Sequence, residues 1–226
     1  MINLSDAVLQ QIAVYSPEPE IAGSINAPCL QTVFNELIDS YIENKVGIAE
    51  NFLGASLASS LKANLMSLLA TNQLLPAGTG NDSAVVHNKL YRNDSIYWLD
   101  RKHNDPHENE FFDLMDQFVE HLNRTCYTGI TGYEFHYALY PTGSFYKKHF
   151  DQFRNDSSRQ YSMIMYLNTD WTPDDGGELR IHTLDYQQDI APTNGKSVFF
   201  KSSELEHEVL LTNRPRMSVT GWLKVG

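Results

Sequence analysis

The chain has 226 residues, 42% hydrophobic and 20% charged, with 28 acidic against 17 basic side chains and a formal charge of −11. That length fits one domain and buries a core without staples, and an aromatic content of 12% excludes disordered and collagenous classes. The acidic balance argues against a nucleic-acid partner, which needs a basic face, and Cys29 and Cys126 make neither a disulfide framework nor a CxxC pair.

The first eleven residues lack a basic segment and a long apolar segment, and no apolar run approaches the ~20 residues of a membrane span. A cytoplasmic protein with no membrane contact is therefore expected. The first predicted element is a helix over about 30–42, where Leu30, Val33, Phe34, Leu37, Ile38, Tyr41 and Ile42 fall on one stripe. A second follows Ser56 on Leu57, Leu61, Leu65, Leu68 and Leu69, and a third spans about 108–126 on Phe111, Phe112, Met115, Phe118, Val119 and Leu122. These stripes read as packing surface. Ahead of the third, Asp105 before Pro106 has the form of an N-cap.

After Cys126 the period changes from 3.6 to 2. Strands are predicted near 133–140, 145–151, 160–168, 178–183, 186–190, 196–200, 207–211 and 216–225, separated by turns such as Asp174-Asp175-Gly176-Gly177 and Asn194-Gly195. Helices followed by about eight strands predict a mainly β fold, a double-stranded β-helix (jelly roll) buttressed by N-terminal helices. The single domain 1–226 then divides into a helical portion, about 1–127, supporting a catalytic jelly roll, about 128–226. In the first of these strands Tyr133, Phe135, Tyr137 and Leu139 oppose Glu134, His136, Ala138 and Tyr140. A sheet with one solvated face gives the same alternation. Which polar residues fall on the mixed faces points instead to a pocket.

His149-Phe150-Asp151 lies in a predicted strand, so its imidazole and carboxylate project from one face, and His207 stands on another strand. Two imidazoles and one carboxylate are the ligand set of non-haem Fe(II) oxygenases, with positions left for a co-substrate and O2. A second His-x-Asp, His103-Asn104-Asp105, sits in a polar, proline-bounded loop and reads as a decoy. Arg216 opens the last strand on its mixed face with Ser218 and Thr220. An inward guanidinium is costly unless a carboxylate meets it, and no strand carboxylate is an obvious mate. A dicarboxylate that chelates iron at one end and meets Arg216 at the other satisfies both groups, and Tyr140 and Tyr166 could donate hydrogen bonds to the same anion.

The stretches Tyr91-Arg92-Asn93-Asp94-Ser95-Ile96-Tyr97-Trp98, Tyr140-Pro141, Tyr146-Lys147-Lys148-His149-Phe150-Asp151, Tyr166-Leu167-Asn168, Gly176-Gly177-Glu178-Leu179-Arg180-Ile181, His207-Glu208-Val209 and Arg216-Met217-Ser218-Val219-Thr220-Gly221-Trp222 resemble the 2-oxoglutarate- and Fe(II)-dependent dioxygenases. Within them the chain is most similar to the prolyl hydroxylase-domain branch, over about residues 85–225. The resemblance implies His149, Asp151 and His207 as iron ligands and Arg216 as partner of the co-substrate's distal carboxylate. It places Tyr140, Ile164, Tyr166, Leu179 and Thr220 along the 2-oxoglutarate pocket. Asp94 and Arg159 match a pair that clamps a mobile loop, here about Gly78 to Arg92, and Tyr146 and Trp222 match positions that meet the target residue. The Tyr140-to-His149 interval is a residue shorter than in the animal enzymes.

The implied activity is O2-dependent hydroxylation, expected at C4, of a prolyl residue in a protein, with release of succinate and CO2. Ascorbate is expected as an aid that keeps the iron reduced, and a translation factor such as elongation factor Tu is a candidate partner. The alternative readings are a free amino-acid or small-metabolite hydroxylase and a metal-binding jelly roll without turnover.

Overall fold

Apolar spacing places the helices close to their predicted positions in the computed structural model, which describes residues 29–78, 88, 90–152 and 155–226. Helix α1 (Leu30–Asn44) buries Val33, Phe34, Leu37 and Ile38, whereas Ile42, at the end of the predicted stripe, is largely exposed. It closes at Lys45, whose left-handed backbone lets its N–H reach the Tyr41 carbonyl. Helix α2 (Ala55–Ala70) buries Leu57, Ala58, Leu61, Leu65 and Leu69. Helix α3 (Pro106–Cys126) starts at the predicted cap: the Asp105 carboxylate accepts from the backbone N–H groups of His107 and Glu108, both at 2.9 Å. The His-x-Asp decoy is part of a single 3₁₀ turn and that cap, and His103 Nδ1 meets Glu108 at 2.8 Å instead of a metal partner.

All eight predicted strands form, each with limits within two residues of expectation: β4 (Gly132–Tyr140), β5 (Tyr146–His149), β6 (Arg159–Tyr166), β7 (Leu179–His182), β8 (Gln187–Ile190), β9 (Ser197–Lys201), β10 (Glu206–Val209) and β11 (Arg216–Lys224). Three more lie in the portion expected to be helical: β1 (Val46–Ala49), β2 (Leu75–Pro76) and β3 (Ser95–Trp98). They are two to four residues long and stand singly among the helical stripes, without the succession of β-rich segments and turns that follows Cys126. They extend the edges of a seven-stranded antiparallel sheet ordered β1-β9-β6-β11-β4-β3-β2. A four-stranded sheet, β5-β10-β7-β8, faces it to complete the jelly roll.

Neither face of β4 is solvated from Phe135 to Tyr140. Phe135, Tyr137 and Leu139 join Phe111, Phe118 and the other apolar residues of the helices in one core. Ala138 and Tyr140 point the other way, into a second core between the sheets with Ile164, Tyr166, Leu179 and Ile181. The alternation that a solvated face would also produce thus comes from two buried faces, one against helices and one against the cavity. At Gly221 in β11 the main chain passes so close to β4 that any Cβ would collide with the Glu134 carbonyl and the Phe135 ring. Among the described residues no helix is long and apolar enough to cross a membrane.

Candidate metal centre and cavity

His149, the last residue of β5, lies directly opposite His207 in β10, and their rings are 4.3 Å apart. Asp151 is not in the strand, as the sequence suggests, but two residues past its end. There the chain leaves the small sheet for the large one: Gln152 N–H donates to the Ser202 carbonyl, and the Asp151 carboxylate reaches Ser162 on β6. The crossing still brings the three donors together. Asp151 Oδ1 is 3.5 Å from His149 Nε2, Asp151 Oδ2 is 3.7 Å from His207 Nε2, and one ligand atom from each residue falls within 4.8 Å of the others.

Both imidazoles are oriented from behind. His149 Nδ1 lies 2.7 Å from the Lys147 carbonyl and His207 Nδ1 lies 3.1 Å from the Leu205 carbonyl. A carbonyl only accepts, so each Nδ1 carries the proton and each Nε2 lone pair is left for a cation. Burial would raise the Asp151 carboxyl, but His207, His149 and the Ser162 hydroxyl outweigh it and hold the group far below the usual carboxylate range. Burial, with His149 beside it, lowers His207 to about 4, so its Nε2 gives up a proton readily to a cation. Two imidazoles and one carboxylate on one side of a cavity suit Fe(II) and leave the opposite positions open.

The cavity between the sheets measures about 910 Å³ and is lined by His149, Asp151 and His207 and by Tyr140, Ile164, Leu179, Arg216 and Thr220. Arg216, 1% exposed, sits with its guanidinium 5.0 Å from the Tyr140 ring and 4.9 Å from the Tyr166 ring. Its Nε donates to the Gly177 carbonyl at 2.8 Å, while its NH2 nitrogen and the Tyr166 hydroxyl are buried with no hydrogen-bond partner. Gly177 fits that approach because its φ is +69° and a Cβ there would lie 3.2 Å from Arg216 Cδ. Orphaned donors this deep are costly, and no carboxylate among the described residues pairs with Arg216. A dicarboxylate such as 2-oxoglutarate fits these residues, since its distal carboxylate would accept from both orphaned donors.

At the mouth, Tyr146 stacks on His149 with centroids 3.6 Å apart, and Arg92 lies 4.1 Å over its other side. Trp222 carries the Arg159 guanidinium 3.4 Å above its ring and packs against His136 and Trp98. The Asp94/Arg159 pair implied by the resemblance does not form. Asp94 is held bidentately by Arg92, at 2.8 and 2.6 Å, and Arg159 binds Glu134 at 2.9 and 2.8 Å. Each charge has a partner nearer at hand, Arg92 two residues away and Glu134 on β4, across β11 from Arg159. The loop that this pair was expected to clamp falls mostly outside the described residues.

Sequence reasoning missed four residues of the site. Ser162 on β6 supports Asp151 from outside the ligand motif, and short hydroxyl residues in strands carry no signal of that role. Arg92 and Trp98 belong to the motif around Asp94, but only the fold shows them at the mouth. His136 falls on the mixed face of β4, where alternation does locate it. Burial there, with the Arg92 and Arg159 charges nearby, pushes it down to about 3.

A family model described as the 2OG-Fe(II) oxygenase superfamily matches residues 135–224. A crystal structure of a Pseudomonas putida prolyl-4-hydroxylase is 33% identical over 86% of this chain and all of its own, with a TM-score of 0.77. The same fold occurs in a Trichoplax adhaerens prolyl hydroxylase solved with a hypoxia-inducible-factor oxygen-degradation-domain peptide, at 23% identity over 86% and 90% of the two chains and a TM-score of 0.76. It also occurs in a Phytophthora capsici prolyl 4-hydroxylase, at 17% identity over 92% and 69% and a TM-score of 0.70.

Proposed function

This chain belongs to the prolyl hydroxylase branch of the 2-oxoglutarate- and Fe(II)-dependent oxygenases, dioxygenases that use Fe(II), 2-oxoglutarate and O2, and from that premise we propose that it hydroxylates a prolyl residue in a protein, at C4. The observation that carries the reading is the joining, in one cavity, of the His149/Asp151/His207 cluster, the orphaned Arg216 donor and an aromatic mouth. Bound iron supplies the redox chemistry that couples conversion of 2-oxoglutarate to succinate and CO2 with insertion of oxygen into a C–H bond.

The chain's residues do the rest. His149 and His207 bind through Nε2 and Asp151 through its carboxylate. Arg216 and Tyr166 fix the distal carboxylate of 2-oxoglutarate, with Tyr140 and Thr220 beside it and Ile164 and Leu179 as apolar walls that exclude water. Tyr146, Trp222 and Trp98 line the mouth where a prolyl ring enters, and the peptide on either side rests on the open rim. The Trichoplax enzyme's peptide complex supports a polypeptide target, and the charge of −11 disfavours nucleic acid. A translation factor such as elongation factor Tu is the first candidate to try.

The test is mass spectrometry of proline-containing proteins incubated with the enzyme, Fe(II), 2-oxoglutarate and O2. One added oxygen on a single proline, absent in His149→Ala, is the expected result. Oxidation of free proline or a metabolite alone overturns the protein-substrate reading.

A further inference from the structure

The hydroxyl behind Asp151 is not isolated. Ser162 Oγ lies 2.6 Å from Asp151 Oδ2 and 2.8 Å from Ser202 Oγ, and both serines are fully buried. An ionised carboxylate only accepts, so the single Ser162 proton points at Asp151. Ser202 must then be the donor in the second bond, and the chain runs one way, Ser202 to Ser162 to Asp151. Each bond polarises the next, and with no solvent access water cannot replace either hydroxyl. Ser202 follows the end of β9, and the main chain ties it on both sides: its N–H donates to Gln160 and its carbonyl accepts from Gln152 beside Asp151. The relay is therefore anchored to β6 and to the chain that carries the ligand.

We infer that Ser162 and Ser202 are positioning residues that hold Oδ2 of Asp151, so that the carboxylate meets iron through Oδ1 alone and the last coordination position stays open for O2. This rests on the iron site proposed above. Three protein donors and two from 2-oxoglutarate leave one position of an octahedron, and a carboxylate released to bind through both oxygens would take it. Ser162 thus acts through Asp151, and neither serine touches the reacting atoms.

Metal-stripped protein is titrated with Co(II), with and without 2-oxoglutarate, reading affinity and the visible d–d spectrum, which reports coordination number. Ser162→Ala is expected to bind Co(II) about 10- to 100-fold more weakly and to show an altered spectrum with 2-oxoglutarate. Ser202→Ala should shift both in the same direction by less, and Ser162→Thr, which keeps the hydroxyl, should recover the wild-type spectrum. Wild-type affinity and spectrum in both alanine variants overturn the inference. So does an equal loss in Ser162→Ala and Ser162→Thr with unchanged melting, because the hydroxyl is then not the cause. If wild type binds Co(II) no better than His149→Ala, the iron site itself fails and the inference falls with it.

Discussion

Arg216 is the residue whose surroundings ask most directly for a ligand. Substituting Arg216→Lys keeps the charge but loses the fork, and charge-assisted bonds of this kind contribute about 1.5–3 kcal/mol. The dissociation constant for 2-oxoglutarate, measured by calorimetry on Co(II)-loaded protein, should rise about 10- to 150-fold, the factor to which that range converts at 1.4 kcal/mol per tenfold. An unchanged constant would place the co-substrate elsewhere. The His149/Asp151/His207 cluster and the burial of Arg216 were legible in the sequence because the chemistry is restrictive: few residue types bind a cation, and few reasons exist to bury a guanidinium. Asp94 and Arg159 were not, because a charge beside or on a sheet has several neighbours and only the folded chain shows that they pair with Arg92 and Glu134. Ser162 was illegible for a different reason. A serine is common in strands, and what distinguishes this one is a contact across two sheets.

Among the elements, α3 carries a cap whose contribution can be titrated. Burial would raise the Asp105 carboxyl, but the backbone N–H of Glu108, the Asn64 amide and the N–H of His107 outweigh it and lower the group. Asp105→Ala should cost about 1 kcal/mol by chemical denaturation near neutral pH. A lowered folded value means the carboxylate's stabilisation is complete above the unfolded value of about 3.9 and fades as pH falls through the folded one. The gap between wild type and variant should therefore close in acid and stay constant from pH 5 upward. A gap that widens in acid contradicts the cap. In the sheet, Gly221→Ala should leave little folded protein, since the colliding atoms are backbone and a packed ring that cannot both retreat. Soluble, wild-type-like melting would show that β4 and β11 sit farther apart than described. Strands β4 to β11 were legible because β-rich segments recur there between turn signals. Strands β1 to β3 were not: their place is set by partners far along the chain, as in Val46 opposite Phe200.

Taken whole, the molecule rests its large sheet on the helices through one aromatic cluster. Phe118 has no exposure and packs on Phe34, Phe52 and Phe199. Phe118→Ala should cost about 3–5 kcal/mol, lowering Tm by roughly 6–20 °C for a chain of this size. Co(II) affinity well below the transition should be unchanged, because the cluster lies on the face of the sheet opposite the cavity. Reduced affinity in the fully folded variant would couple the helices to the metal centre. The strand order has one more consequence. β11 separates β1-β9-β6 from β4-β3-β2, and it is the last of these strands to be synthesised. While the chain is emerging from a ribosome, the two halves of the sheet have no strand to share, and their pairing edges wait for a segment not yet made. That same segment brings Arg216 and Thr220. Completion of the fold and arrival of the proposed co-substrate anchor are thus a single event, so a polypeptide interrupted before it lacks both its keystone and the guanidinium proposed to hold 2-oxoglutarate.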